Sequence, residues 1–299
     1  MTHILVSGLA TVDMIYYMED LPTRGQKYRA ENALITGGGN AANSSVAISR
    51  MGGSVTLLTI IGQDTFGELI IEELKAEKVK TNAIIRKPNF ETPYSSVIVD
   101  KKGNRQIVNY RSSHLDFSFH RPSIEGEFQA YLTDGRLREA TLFTLEEARK
   151  KNKPGVLDGE TPVCPKAAKL ASHIAFSRQG LSTFSNTTSI VEGLKAAKNY
   201  SRNWVCVTDG EEGVFFMDGN ELVQLRPPKI IALDTLGAGD VWHGAFTLAL
   251  ANNECPRRAS EFANTIASKK CEKYGGKNGS PYKDDLTEIN NTFQIKPKT

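Results

Sequence analysis

Apolar and polar residues follow two alternating periods along the chain. Short runs of β-branched and aliphatic residues at 4–6, 55–61, 155–158 and 204–208 read as strands, several ending in glycine or an acid. Between them apolar residues recur at helical spacing. Ala42, Val46 and Ile48 mark a helix over 40–50, and Leu69, Ile70 and Leu74 mark one over 66–77. Residues 240–251 and 258–274 show the same helical pattern. Alternating strand and helix predicts βαβ units, an α/β class and a mostly parallel central sheet.

Two stretches interrupt this rhythm. Residues 14–35 mix aromatics and charges around a Leu21-Pro22-Thr23 turn. Residues 95–111 read as a hairpin, with Lys101-Lys102-Gly103-Asn104 turning between two β-branched runs. These separated segments predict a small β-sheet lid set on the core. The expected organisation is a core of 1–13, 36–91 and 112–299 with a lid of 14–35 and 92–111. A second hairpin is expected around Asp218-Gly219-Asn220.

The chain has 299 residues, 39% hydrophobic and 24% charged, with a net charge of +3. That length suits one large α/β domain or a domain with a small appendage. No block of five like charges occurs, so a nucleic-acid partner is not expected. Cys164, Cys206, Cys255 and Cys271 are far apart with no CxxC, which argues against zinc and disulfide frameworks. The first eight residues read as a strand and a glycine turn, and no run approaches a membrane span of roughly 18 apolar residues. A soluble, cytoplasmic protein is the expectation.

The candidate chemistry lies in Asp234-Thr235-Leu236-Gly237-Ala238-Gly239-Asp240, which runs directly into a helical pattern. Small residues at 237–239 let backbone approach a ligand closely. Free N–H groups and a partial positive dipole at the following helix start suit a phosphate. Asp240 at that helix start would accept the proton of an attacking hydroxyl, although aspartate is also a common helix N-cap. A positioned base contributes roughly 10²–10⁴ in rate and each oxyanion-type donor roughly 10²–10³, against about 0.3–1 kcal/mol for the dipole alone. Base and cradle are therefore both needed.

This string, together with Gly37-Gly38-Gly39-Asn40-Ala41-Ala42-Asn43, resembles the two signatures of the ribokinase-like (PfkB-type) carbohydrate kinases, in order and spacing over nearly the whole chain. The resemblance implies a three-layer α/β core, a β-lid over the sugar, and ATP as phosphate donor. It implies that Asp240 is the catalytic base and that Gly237, Ala238 and Gly239 form the anion hole. Asp13, Gly38, Gly39, Asn40 and Asn43 match sugar-binding positions, and Asp13 is expected at the carboxyl edge of the sheet. Ser177, Thr208, Gly210 and Gly213 match the nucleotide phosphate and ribose side. Asn264, Ala267, Ser268, Gly275 and Gly276 match the adenine side. A homodimer through the lid is also implied.

One departure concerns the metal. The family often carries Asn-x-x-Glu near its Mg²⁺ waters, whereas this chain has Ser177-Arg178-Gln179-Gly180. Mg²⁺ is still expected, since it keeps several waters and leans on substrate phosphates. Asp158 and Glu160 are candidates to reach it through water. A monovalent-cation site bordering Asp234 is possible. The missing motif also leaves open a non-catalytic sensor on the same fold, against which the intact Asp240 and glycine turn argue.

For the sugar, Asp13-Met14-Ile15-Tyr16-Tyr17, Leu21-Pro22-Thr23 and Gly25-Gln26-Lys27-Tyr28 resemble bacterial 6-deoxy-6-sulfofructose kinases. Other segments resemble ketohexokinases, notably Ala267-Ser268-Lys269-Lys270-Cys271. The first resemblance implies that Lys27, Asn109 and Arg136, or Arg138 two residues on, receive a sulfonate. A permanent anion with three acceptor oxygens suits a point charge, a guanidinium fork and a neutral donor. Fructose, other neutral ketoses and sugar phosphates remain alternatives.

Overall fold

The computed structural model of the protein describes residues 2–111, 124, 126–160 and 162–286 of the 299. Part of the expected core, at 112–123 and 287–299, lies outside the described residues. The strands are β1 (His3–Ser7), β2 (Thr11–Tyr17), β3 (Asn32–Gly38), β4 (Ser54–Leu58), β5 (Ile60–Gly62), β6 (Ile85–Lys87) and β7 (Tyr94–Val99). They continue with β8 (Arg105–Tyr110), β9 (Ala130–Thr133), β10 (Gly155–Gly159), β11 (His173–Ser177), β12 (Trp204–Thr208), β13 (Val214–Asp218) and β14 (Glu221–Leu225). The helices are α1 (Asn40–Arg50), α2 (Thr65–Ala76), α3 (Arg138–Lys150), α4 (Pro165–Leu170), α5 (Arg178–Ser185), α6 (Ile190–Ser201), α7 (Ala238–Ala251) and α8 (Pro256–Cys271).

Eight strands form the large sheet in the order β14-β13-β12-β11-β10-β9-β1-β4. All neighbours from β4 to β12 are parallel, and β13 alone is reversed, antiparallel to both β12 and β14. Successive strand side chains point to opposite faces, which divides the core into layers. Ile4, Val6, Leu132, Val156, Ala175 and Cys206 pack under α1, α7 and α8. Leu5, Tyr131, Leu157, Ile174, Phe176 and Val207 pack against α3–α6 on the other face. The result is the expected three-layer α/β core. Among the described residues no helix is long and apolar enough to cross a membrane.

The chain reverses direction across the sheet at β1, which has β4 on one side and β9 on the other. The loops after β1, β9, β10 and β11 therefore gather at the carboxyl edge, where open α/β sheets hold ligands.

A separate sheet has the order β3-β2-β7-β8. It takes more chain than the sequence suggests, beginning at Thr11 and running on to Gly38. Asp13 therefore lies inside β2 of the small sheet and not on the turn after the first core strand. Its register partners are Thr36 and Ser95, and Ser95 in turn pairs with Asn109. Paired residues share a face, so Thr36, Asp13, Ser95 and Asn109 form one polar row across four strands. The 55–61 run also divides, since β4 joins the large sheet while β5 leaves it to pair with β6.

Candidate active site

The turn into α7 is the centre of the site. Gly237 caps the helix with φ 75°, a left-handed conformation that suits glycine, and α7 begins at Ala238. Asp240 is thus the third helical residue rather than the cap, and its carboxylate is free of capping duty. Asn40 Nδ2 donates to Asp240 Oδ1 at 2.9 Å, and Asn43 Nδ2 donates to Oδ2 at 2.7 Å. Ser44 Oγ donates to the Asp240 carbonyl at 2.8 Å. Two amides and a hydroxyl from the first turns of α1 therefore fix the acid in place.

Burial pushes the Asp240 carboxyl from 3.8 up to about 7, and the Asn43 hydrogen bond and His243 pull against it. Two further carboxylates raise it, Asp158 at the end of β10 and Asp134 just after β9. Asp134 is itself pushed up to about 6 by burial. It accepts from Leu9 N at 2.7 Å and Arg136 N at 2.9 Å, so it holds together the loops that follow β1 and β9. Asp158 is buried and its pKa is raised by that burial, while His243 Nε2 lies 3.6 Å from its Oδ1.

α1 enters the site through the glycine triplet. Gly39 caps α1 at φ 92°. A side chain there would strike the Leu9 carbonyl, and one at Gly38 would overlap the Asp13 carboxylate. Thr11 Oγ1 donates to Asp13 Oδ1 at 3.2 Å. Burial raises the Asp13 pKa, against hydrogen bonds from Thr11 and Ser95 and the charges of Lys277 and Arg111. Lys277 is buried and its Nζ donates to Thr36 Oγ1 at 2.8 Å, to Glu73 Oε2 at 2.7 Å and to the Gly37 carbonyl. It ties the segment after Gly275-Gly276 to the small sheet.

Asp234 directs its carboxylate inward. Leu236 N donates to Oδ1 at 2.7 Å, and Gly275 N and Gly276 N donate to Oδ2 at 2.9 and 3.0 Å. The fully buried Lys270 donates to the Asp234 carbonyl at 2.7 Å. Gly275 and Gly276, expected on the adenine side, brace the loop that leads from Asp234 into α7.

The remaining residues expected on the nucleotide side divide. Ser177 Oγ caps α5 through Gly180 N at 2.9 Å and donates to Glu160 Oε1 at 3.2 Å, which brings Glu160 to the end of β11. Thr208 Oγ1 donates to the Phe176 carbonyl at 3.3 Å, and Gly210 and Gly213 both hold positive φ in the turn after β12. Asn264 is buried, with its amide occupied by Trp242 Nε1 at 2.8 Å and the Leu225 carbonyl at 2.7 Å. It therefore ties α8 to α7 and to the end of β14, and Ala267 and Ser268 follow it on α8.

Of the residues expected to meet the sugar, Asn109 is exposed on β8 and accepts from Ser95 Oγ at 3.0 Å. Lys27 is exposed in the loop between β2 and β3. Arg136 is half-buried in the loop after β9, whereas Arg138 is exposed as the first residue of α3. Arg111 feels the charges of Arg136, Asp134 and Asp13, which brings the end of β8 close to that loop. Ser44, Asp134, His243, Lys277 and Arg111 escaped the sequence reading. Only His243 carried a local signal, since it falls one turn after Gly239 on the helix face of the motif.

A family model described as pfkB family carbohydrate kinase matches residues 1–283. The chain is 24% identical to a ribokinase of Bacillus subtilis (strain 168) over 97% of this chain and 99% of that one. Among solved structures, ribokinase from Thermotoga maritima superposes with a TM-score of 0.82 at 21% identity, covering 99% of this chain and 100% of that one. Arabidopsis thaliana ribokinase, in a structure with ribose and ATP, gives a TM-score of 0.81 at 20% identity over 96% of this chain and 98% of that one.

Proposed function

Given that the chain belongs to the pfkB family of carbohydrate kinases, we propose that it transfers the γ-phosphate of ATP to a primary hydroxyl of a ketohexose-type sugar carrying a distal sulfonate, 6-deoxy-6-sulfofructose being the best fit. The observation that carries the catalytic part is the double clamp of Asn40 and Asn43 on Asp240 beside an open glycine turn. Asp240, with a pKa of about 7, sits near the value at which a general base works best at neutral pH. It takes the hydroxyl proton while the N–H groups of the 237–239 turn hold the phosphoryl oxygens, the arrangement that phosphoryl transfer requires.

Mg²⁺ fits this donor set. Asp158 and Glu160 offer oxygen ligands at the carboxyl edge, and Mg²⁺ commonly binds one or two carboxylates through water together with substrate phosphates. When bound, it would neutralise charge on the β- and γ-phosphates. Asp234 is the acid that would border a monovalent cation, and Lys270 already sets a positive charge behind it.

The polar row of the small sheet supports the sugar assignment. Asn109 stands two strands from Asp13, roughly 10 Å away. That distance suits a hexose whose hydroxyls meet Asp13 while its far end meets Asn109. Half-burial and the charge neighbours favour Arg136 over Arg138 as the fork for the anion. Lys27, on the loop of the same sheet, is the point charge. A charge pair near a protein surface contributes up to about 4 kcal/mol before desolvation, enough to separate an anionic from a neutral sugar. Ribose is the second reading, favoured by the ribokinase relatives. In the proposed assembly the small sheet is a lid and pairs two copies, supported by the exposure of Ile35 (57%) and Val108 (65%) on it.

A coupled ADP assay across sulfofructose, fructose, fructose phosphates, tagatose phosphate and ribose tests the assignment. Sulfofructose is expected to give the highest kcat/KM. A higher kcat/KM for ribose would replace the assignment by the second reading.

A further inference from the structure

The peptide at Gly37 is clamped from both ends by one buried ion pair. Gly37 N donates to Glu73 Oε2 of α2 at 2.8 Å, and the Gly37 carbonyl accepts from Lys277 Nζ. Thr36 Oγ1 accepts from the same Nζ at 2.8 Å, and Glu73 Oε2 accepts from it at 2.7 Å. An ammonium has three N–H donors, and these three acceptors use all of them. A methyl group at Gly37 would stand 3.1 Å from Glu73 Oε2 and 3.4 Å from Lys277 Nζ, so the clamp closes on bare backbone. The next residue, Gly38, abuts the Asp13 carboxylate. Lys277 therefore fixes the backbone against which Asp13 stands.

The main chain of Lys277 belongs to another part of the site. It follows Gly275 and Gly276, whose N–H groups donate to the Asp234 carboxylate. Its own backbone N lies 3.7 Å from the place where a side chain would begin at Gly237. Arg50, the last residue of α1, donates to the Asn278 carbonyl at 2.8 Å and to the Ser280 carbonyl at 3.0 Å. Gly276, Lys277 and Gly279 are all buried. The segment is thus held from several directions, and a shift of its main chain carries the ammonium with it. Close-packed, fully bonded links of this kind transmit a displacement more than they absorb it.

We propose that Lys277 is a positioning residue that couples the two substrate sites: nucleotide bound beside Gly275 and Gly276 sets the Gly37-Gly38 backbone for Asp13, and so tightens sugar binding. This rests on the adenine-side placement of Gly275 and Gly276 and on Asp13 as the acid that meets the sugar. By linkage, sugar tightens nucleotide binding by the same factor. The donors of Lys277 are all taken within the protein, so it acts on Asp13 through the 37–38 backbone.

Isothermal titration calorimetry on the full chain tests the coupling. The Kd of sulfofructose is measured with and without a saturating non-hydrolysable ATP analogue and Mg²⁺, in wild type and in Lys277→Met. In wild type the analogue is expected to lower that Kd by about fivefold or more. In Lys277→Met this factor is expected to fall below about twofold, with the Kd of the analogue alone within about threefold of wild type. A merely structural role would weaken binding and leave the factor unchanged. An unchanged factor in Lys277→Met therefore overturns the proposal, and so does a wild type without coupling. If Lys277→Met fails to fold, Glu73→Gln keeps an acceptor but removes the charge partner. It is expected to lower the factor by about twofold or more, and an unchanged factor there overturns the proposal equally. Failure of sulfofructose to bind strikes the sugar assignment alone, and ribose then serves as the probe with the same two outcomes. Binding of neither sugar overturns the proposal.

Discussion

Asn43 Nδ2 lies 2.7 Å from Asp240 Oδ2, joining two residues 197 positions apart in the chain. That bond brings the first glycine turn and the last one into a single site, and it favours the ionised form of the acid.

Removing this donor should change the pH dependence in a defined direction. A base must be deprotonated to act, so wild-type kcat/KM should fall as pH drops through about 7, the pKa of Asp240. Hydrogen bonds to charged groups contribute about 1.5–3 kcal/mol, and one pKa unit is about 1.4 kcal/mol. In Asn43→Ala the acid limb should therefore move upward by about one pH unit or more. A pH–rate profile from 5.5 to 9 checks this, and an unshifted limb contradicts it.

Gly38 is a steric test of the sugar side. A methyl group there meets the Asp13 carboxylate, so Gly38→Ala must displace that acid. If Asp13 binds the sugar as proposed, the KM for sugar should rise more than about tenfold with the loss of that carboxylate hydrogen bond, and ATP binding should stay nearly unchanged. Calorimetric titration with sugar and with an ATP analogue separates the two. Equal weakening of both would contradict the placement of Asp13.

Much of the architecture was legible in the sequence, because buried parallel strands and the helices over them carry strong apolar periodicity. Residues 40–50 and 204–208 are the plainest cases. The glycine motifs marked the two helix starts where Gly39 and Gly237 take positive φ. The edges of the small sheet were harder to place, because Thr11–Asp13 and Thr36–Gly38 continue core segments without a break in pattern. Asp134, His243 and Lys277 were not legible for a different reason. Each makes contacts with residues far away in the chain, with Leu9, Ala175 and Thr36 respectively, which no local spacing identifies.

Lys277 shows what such a contact contributes. Its side chain is 4% exposed, and the ammonium meets Glu73 Oε2 at 2.7 Å. Breaking a buried pair typically costs about 3–5 kcal/mol. Glu73 is 31% exposed, so Lys277→Met should cost less, roughly 2 kcal/mol. Adding Glu73→Leu should recover part of the loss, because the orphaned carboxylate is then removed. Thermal melts of both singles and the double form a cycle, and strict additivity would contradict the pairing.

Arg136 and Lys27 test recognition of the anion. Arg136→Ala and Lys27→Ala should each raise KM for sulfofructose by about tenfold or more, corresponding to roughly 1.4 kcal/mol. The KM for fructose should change less than about threefold. Arg138→Ala should leave both sugars unaffected. Equal effects on sulfofructose and fructose would contradict the anion site.

The most direct measurement is turnover by Asp240→Asn alongside its affinity for ATP. Asparagine keeps the shape and removes the base, and a positioned base contributes roughly 10²–10⁴ in rate. A fall of about a thousandfold in kcat, with ATP affinity within about threefold of wild type, is the predicted result. Near-normal kcat in Asp240→Asn would contradict the assignment of Asp240 as the base.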